Sequence, residues 1–173
     1  MQTITITSTD DTLAQFMQDC QDRSFMNNCS LKAMKFDWCL DNGGLWTGTL
    51  KDNRLISVSG IHPFKDGWRA LFRGAQLEPR PVGLNRHHMQ SYPFYSHLPL
   101  QIDWVEKHNN GPIYITTNVD NDMSGKMTRI NKTFNILKNS KMIDHVGQEE
   151  VFYVEQNVWI LNKEIYKEIR KKY

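Results

Sequence analysis

"WRALFRGAQLEPRPVGLNRHH" (68–88) is the stretch on which the reading of this chain turns. Residues 68–77 are rich in strand-forming types and read as a β-strand. Pro79, Pro81 and Gly83 then follow within a few residues. Proline fixes φ and removes a backbone donor, whereas glycine permits conformations that other residues avoid. Arg80, Arg86 and the paired His87 and His88 lie in the same segment. Such a segment is either a surface turn or a loop whose free N–H groups and arginines hold a phosphate.

Upstream, "LWTGTL" (45–50) and "RLISVSGI" (54–61) are separated from each other and from the quoted strand by "KDN" and "HPFKDG". Gaps this short and turn-rich join antiparallel neighbours, so a three-stranded meander is predicted. "TITIT" (3–7) alternates as a short strand, and Ser8 to Asp11 has the spacing of a capping box. The helix it opens carries Leu13, Phe16, Met17 and Cys20 on one face. A second helix starts at Ser30, with Leu31, Met34 and Trp38 inward, and "DNGG" (41–44) ends it.

Downstream, "SYPFYSHLPLQ" (91–101) has no clean period. "LPLQIDWVEKHNNG" (98–111) predicts a helix with Leu98, Ile102 and Val105 on one side, and "PIYITTNV" (112–119) a buried central strand. Ser124 opens a helix with Met127, Ile130, Phe134 and Leu137 in one stripe. "MIDHV", "VFYVE" and "VWILN" (142–162) read as strands broken by "GQEE" and "QN". The tail "KEIYKEIRKKY" (163–173) predicts a basic, solvated helix, with weak docking of anions as the alternative.

At 173 residues the chain is expected to form one domain, residues 1–173. Its 39% hydrophobic and 23% charged residues place it among ordinary globular chains. A net charge of +2 makes nucleic acid an unlikely partner, although Arg80, Arg86 and the basic tail are where it would bind. Cys20, Cys29 and Cys39 fit no zinc spacing and are expected as reduced, buried thiols. With no signal-peptide pattern and no apolar run of membrane-spanning length, a cytoplasmic protein with no membrane partner is expected. "NCS" and "NKT" then have no glycosylation to receive. His87 and His88, being adjacent, point in different directions, and no metal is expected. His62, His97, His108 and His145 are expected to be structural or exposed. Trp46, Trp68, Trp104 and Trp159 are expected in the core.

The element order resembles that of the GNAT superfamily of acyl-CoA-dependent N-acetyltransferases over nearly the whole chain. Three local features support the resemblance. "WRALFRGAQLEPR" stands where the family's fourth strand runs into its coenzyme loop. "RPVGLN" (80–85) is similar to the family's Q/R-x-x-G-x-G/A loop, with Arg80 and Gly83 in register. "INKTFNILKNSKMI" (130–143) is similar to a late helix written N-x-x-A-x-x-L-Y-x-x-x-G-F. The resemblance implies an α/β fold with a mixed, largely antiparallel central sheet flanked by helices. It also implies acetyl-CoA, or a similar thioester, as co-substrate. The loop would present backbone N–H groups to the pyrophosphate, with a helix dipole behind them. Leu77, Arg80, Val82, Gly83, Leu84, Asn85, Arg86 and Asn118 are the expected coenzyme contacts. The pantetheine arm would enter between "GAQLE" and "YITTN".

Acetyl transfer needs a base to take a proton from the amine, a donor for the thioester oxygen and an acid for the departing thiolate. The resemblance points to Glu78 as base, with a backbone N–H near Leu77 as the donor. Phe134 stands where many relatives have the tyrosine acid, so Tyr92 or Tyr95 would substitute. Tyr92, Phe94 and Tyr95 read equally as acceptor-pocket walls or as a lid. No positioned Cys–His pair suggests a covalent intermediate, so direct attack in a ternary complex is expected. The acceptor would be a small-molecule or peptide amine, and a homodimer is kept open. Asn85 in place of the last loop glycine, Pro81, Pro93 and Phe134 depart from the family pattern. They keep open an inactive GNAT-like binding or assembly module.

Overall fold

Turn chemistry sets the strand layout. Asp52 and Asn53 take φ of 51° and 60°, conformations these two residue types tolerate well, and they connect Lys51 to Arg54 across a tight hairpin. The second turn, Lys65–Asp66, joins Phe64 to Gly67. These turns and the flanking strands belong to a computed structural model that describes residues 2–8, 16, 33–76, 96–119 and 129–172, without the side chains of 33–36, 72–76 and 129–130.

Its contacts divide the chain into two compact units, Met1–Gly111 and Pro112–Tyr173. The first contains β1 (Gln2–Ile6), α1 (Ala33–Asp41), β2 (Leu45–Lys51), β3 (Arg54–Phe64), β4 (Gly67–Gln76) and α2 (Leu98–His108). The strands pair antiparallel in the order β1-β2-β3-β4, which is the expected meander with β1 added at its edge. β3 runs three residues past the expected end. His62, Pro63 and Phe64 pair with Arg69, Trp68 and Gly67, whereas pairing with β2 stops at Ile61. A proline is admissible there because the missing N–H faces an edge with no β2 partner.

One side of this unit is apolar. Ile6, Phe16, Cys39, Trp46, Leu55 and Val58 form a buried cluster with Trp38 packed against it. The first expected helix otherwise lies outside the described residues, as do Cys20 and Cys29. α1 ends as expected: the Gly43 φ is 80°, and the Asn42, Gly43 and Gly44 N–H groups return to Trp38, Leu40 and Cys39 carbonyls. The Cys39 thiol donates to the Ile61 carbonyl at 3.3 Å, and burial pushes its pKa up to about 12. It is therefore the inert, packed thiol that the sequence suggests.

The second unit contains β5 (Ile113–Asn118), α3 (Arg129–Asn139), β6 (Ile143–Val151), β7 (Val154–Leu161) and α4 (Lys163–Arg170), with strand order β5-β7-β6, all antiparallel. "VFYVE" is not a strand. Val151 pairs with Val154, so Phe152 and Tyr153 are the two loop residues of a hairpin. "GQEE" lies within β6, where Gly147 at φ 150° accommodates a bulge after His145. α4 is capped by Asn162, whose Oδ1 accepts the Ile165 N–H at 3.1 Å. Phe134 and Leu137 bury one face of α3 as the stripe predicted. Trp46, Trp68 and Trp159 are core residues, whereas Trp104 is only half-buried, with the His108 ring stacked on it at 3.5 Å.

The two units give the expected α/β class, with the β1–β2, β2–β3, β3–β4, β5–β7 and β7–β6 pairs antiparallel and helices against the strands. No described helix is long and apolar enough to cross a membrane.

Phe152 and Tyr153 have φ of 50° and 66°, a conformation that opposes bulky side chains. Replacing the pair by Asn-Gly is expected to stabilise the protein by about 1–3 kcal/mol. Urea unfolding of the double variant measures this, and an unchanged or lower midpoint would contradict it.

Candidate functional site

The first unit buries a polar face that sequence alternation alone would place in solvent. Thr47 and Thr49 on β2 stand opposite Ser59 and Ser57 on β3, and all four are buried. Two side chains around the start of α2 complete this face: His97 at the N-cap position and Gln101 one turn later. The Thr47 hydroxyl donates to the Ser59 carbonyl at 2.8 Å, so its oxygen must accept from His97 Nδ1 at 3.0 Å. His97 Nε2 is then the bare nitrogen and accepts from the Ser57 hydroxyl at 2.9 Å. Both ring nitrogens are occupied, and burial holds the His97 pKa down to about 4. This neutral, enclosed imidazole positions structure. It has no access to a substrate proton.

Gln101 does two things at once. Its Nε2 shares its hydrogens among Thr47 Oγ1, Ser59 Oγ, and the Ser59 and Gly60 carbonyls at 3.2–3.3 Å. Its Oε1 accepts the Leu71 N–H at 3.1 Å. Leu71 lies inside β4 with φ of 57°, where the β3–β4 register slips between His62↔Arg69 and Gly60↔Phe72. A second slip follows before Val58↔Ala75. Each slip adds one residue to β4, which bends the strand and raises its twist. A leucine in this conformation is strained, and the Gln101 contact is what holds its turned N–H. β4 thus reaches Gln76 as a twice-bulged strand, a feature with no signature in a strand-like sequence.

In the second unit a polar cluster joins α3 to the end of β5. The Trp159 indole donates to Thr117 Oγ1 at 2.9 Å, and that hydroxyl donates to Asn131 Oδ1 at 2.7 Å. Asn131 and Asn157 each aim a carboxamide nitrogen at the Asn118 carbonyl, at 3.0 and 3.4 Å. His145 and Gln148 reach Asn157 Oδ1 from β6. Asn131, within the stretch that resembles the late helix, is therefore a clamp on β5. Phe134 is buried and its ring lies 5.2 Å from that of Trp159, so this position serves packing.

Of the expected site residues, the structure describes only Asn118. It is exposed at the last position of β5, with its carbonyl occupied as above. Glu78, Tyr92, Tyr95, Leu77, Arg80, Val82, Gly83, Leu84, Asn85 and Arg86 lie outside the described residues, as do His87, His88 and Pro93. Sequence reading missed the roles of Gln101 and Leu71. The available signal was the paired T-x-T (47–49) and S-x-S (57–59) spacing, which puts four hydroxyls on one sheet face. His62 and His97 are buried, whereas His108 and His145 are exposed, as expected for structural or surface histidines. Among the described residues, no group of three His, Cys, Asp or Glu side chains is placed to hold a metal.

No protein-family model and no curated protein matches this chain. Solved structures do. An acyl-CoA N-acyltransferase from Pseudomonas aeruginosa superposes with a TM-score of 0.58 at 7% identity, over 92% of this chain and 98% of the other. ElaA from Escherichia coli gives 0.56 at 9%, covering 94% and 100%. The ribosomal-protein-S18-alanine N-acetyltransferase of the same organism gives 0.56 at 11%, covering 92% and 93%. The chain therefore shares the fold of these structures and of solved acetyltransferases described as GNAT-family members, carried by a sequence far from theirs.

Proposed function

We propose that this chain is a cytoplasmic acyl-CoA-dependent N-acyltransferase that passes an acyl group from acetyl-CoA or a similar thioester to an amine. The observation that carries the reading is the fold, shared over 92% of this chain with a solved acyl-CoA N-acyltransferase and with a solved N-acetyltransferase. The sequence adds a coenzyme-like loop at the place where β4 ends. In this reading Leu77, Arg80 and Val82 to Arg86 bind the pyrophosphate, with Asn118 at the end of β5 as a further coenzyme contact. Glu78 takes the amine proton, and Tyr92 or Tyr95 returns one to the departing thiolate. The amine attacks the thioester directly, and CoA leaves as the other product.

Calorimetry with acetyl-CoA and CoA tests the loop. Micromolar binding is expected, with a loss of at least about a hundredfold in Gly83→Asp, because the new carboxylate and Cβ meet the phosphates. Absence of binding at millimolar ligand would overturn the reading. Transfer to a panel of amines then tests catalysis. The buried Phe134, which has no proton to give, favours a second reading in which the chain binds coenzyme without turning it over. Tight binding with no transfer to any amine would select that one.

A further inference from the structure

Two surfaces of the second unit carry opposite charge, and the fold explains neither. The β6–β7 hairpin, residues 143–156, holds four carboxylates, Asp144, Glu149, Glu150 and Glu155, with no lysine or arginine. Glu150 and Glu155 are exposed and directly opposed in register. Like charges so placed weaken a hairpin. At its tip Tyr153 is 94% exposed, flanked by Phe152 at 45% and Val154 at 50%. The two aromatic residues also occupy the strained turn positions described above. Ordinary turn residues would remove the exposed aromatic surface and the strain, and one basic residue would remove the repulsion. Their coincidence in one turn marks a contact element.

The second surface is α4 with the two residues that follow it. Residues 163–172 carry five basic and two acidic side chains, and the basic ones gather at Arg170, Lys171 and Lys172. Lys171 and Lys172 are exposed. Within one chain the tip of the hairpin does not reach the far end of α4. The eight residues of β7 separate the tip from the start of α4 by roughly 25 Å. The eight residues of α4 span only about 12 Å, so even folded back along β7 the helix stops short.

We infer that the acidic, aromatic tip of one copy docks on the C-terminal end of α4 of a second copy, and that the contact is reciprocal about a two-fold axis. Glu150 and Glu155 face Lys171 and Lys172, which relieves the carboxylate repulsion. The Tyr153 ring lies against a basic head group, a cation–π contact. A second copy is the occupant because both complementary halves are written in the same chain.

Sedimentation of the full chain over a concentration series is the test. A concentration-dependent dimer is expected at about 50 mM salt, weakened at least about tenfold at 500 mM, where the Debye length falls below 5 Å. Glu150→Lys with Glu155→Lys, and separately Lys171→Glu with Lys172→Glu, are each expected to be monomeric. Mixed in equal amounts, the two reversed proteins are expected to form a heterodimer, because both contacts then pair opposite charges. Tyr153→Gly is expected to melt higher than the parent and to dimerise at least tenfold more weakly, which separates loss of contact from loss of fold. A monomeric parent at all concentrations, a dimer that survives either reversal, or a mixture that stays monomeric overturns the inference. So does a parent monomer that binds a hexa-arginine peptide, which would assign the tip to a foreign basic partner.

Discussion

Between pH 6.5 and pH 4 the protein is expected to lose about 3 kcal/mol of stability for each of two buried histidines, His97 and His62. Burial holds both near a pKa of about 4 in the folded chain, against 6.5 when unfolded. For His62 the Arg69 charge adds to the depression, and a hydrogen bond to the Pro63 carbonyl opposes it. A folded pKa below the unfolded value means that the unfolded chain binds more protons inside that window. Stability therefore rises with pH across it, is fully present above 6.5, and is lost as acid carries the pH down through 4. The sum approaches the whole stability of an ordinary domain. Geometry gives the same sign for His97. Its Nε2 accepts from Ser57, so protonation takes away that acceptor and forces the Ser57 hydroxyl to turn its hydrogen elsewhere in the core. The measurement is the urea midpoint as a function of pH, with His97→Asn as comparison. Asparagine keeps a donor for Thr47 and has nothing to titrate, so its slope between pH 6.5 and 4 is expected to fall by about half. Equal slopes in parent and variant would contradict the assignment.

The same region shows where sequence reasoning stops. The meander was legible because Asp52, Asn53, Lys65 and Asp66 are turn residues, and the helix over 98–108 because Leu98, Ile102 and Val105 repeat at helical spacing. The hairpin at Phe152–Tyr153 was not, because aromatic residues in a turn look like strand. Gln101 was hidden for a related reason: a polar residue in an amphipathic helix reads as solvent-facing, and so do alternating Thr and Ser in a strand. Only the pairing of β2 with β3 brings those polar residues together under α2. The bulge at Leu71 is a consequence of that assembly, so no local pattern around residues 68–77 announces it. The coenzyme-like loop is the reverse case, with a motif visible at residues 80–85 and its geometry outside the described residues.

Gln101→Leu is expected to cost about 2–4 kcal/mol and to damage coenzyme binding beyond that cost. Leucine matches the volume and deletes the carboxamide. The Leu71 N–H then loses the acceptor that holds it turned, and the Gly60 and Ser59 carbonyls lose a donor. A leucine at φ of 57° relaxes toward an extended conformation once that restraint is gone. Relaxation removes the extra residue from the β3–β4 register, and every residue of β4 beyond Leu71 then changes the face it presents. The strand end that leads into residues 77–86 is displaced, so acetyl-CoA affinity is expected to fall at least about tenfold under conditions where the variant is fully folded. The control is Ile102→Ala, next to Gln101 on α2. Ile102 is 2% exposed, and its truncation costs a comparable 2–5 kcal/mol without touching Leu71. Calorimetry on both variants, each held well below its unfolding midpoint, separates the two effects. Lost affinity in Gln101→Leu with retained affinity in Ile102→Ala makes Gln101 a positioning residue for the coenzyme strand. Equal losses would mean that destabilised α2 packing is the whole effect, and equal retention would mean that the bulge does not govern the site.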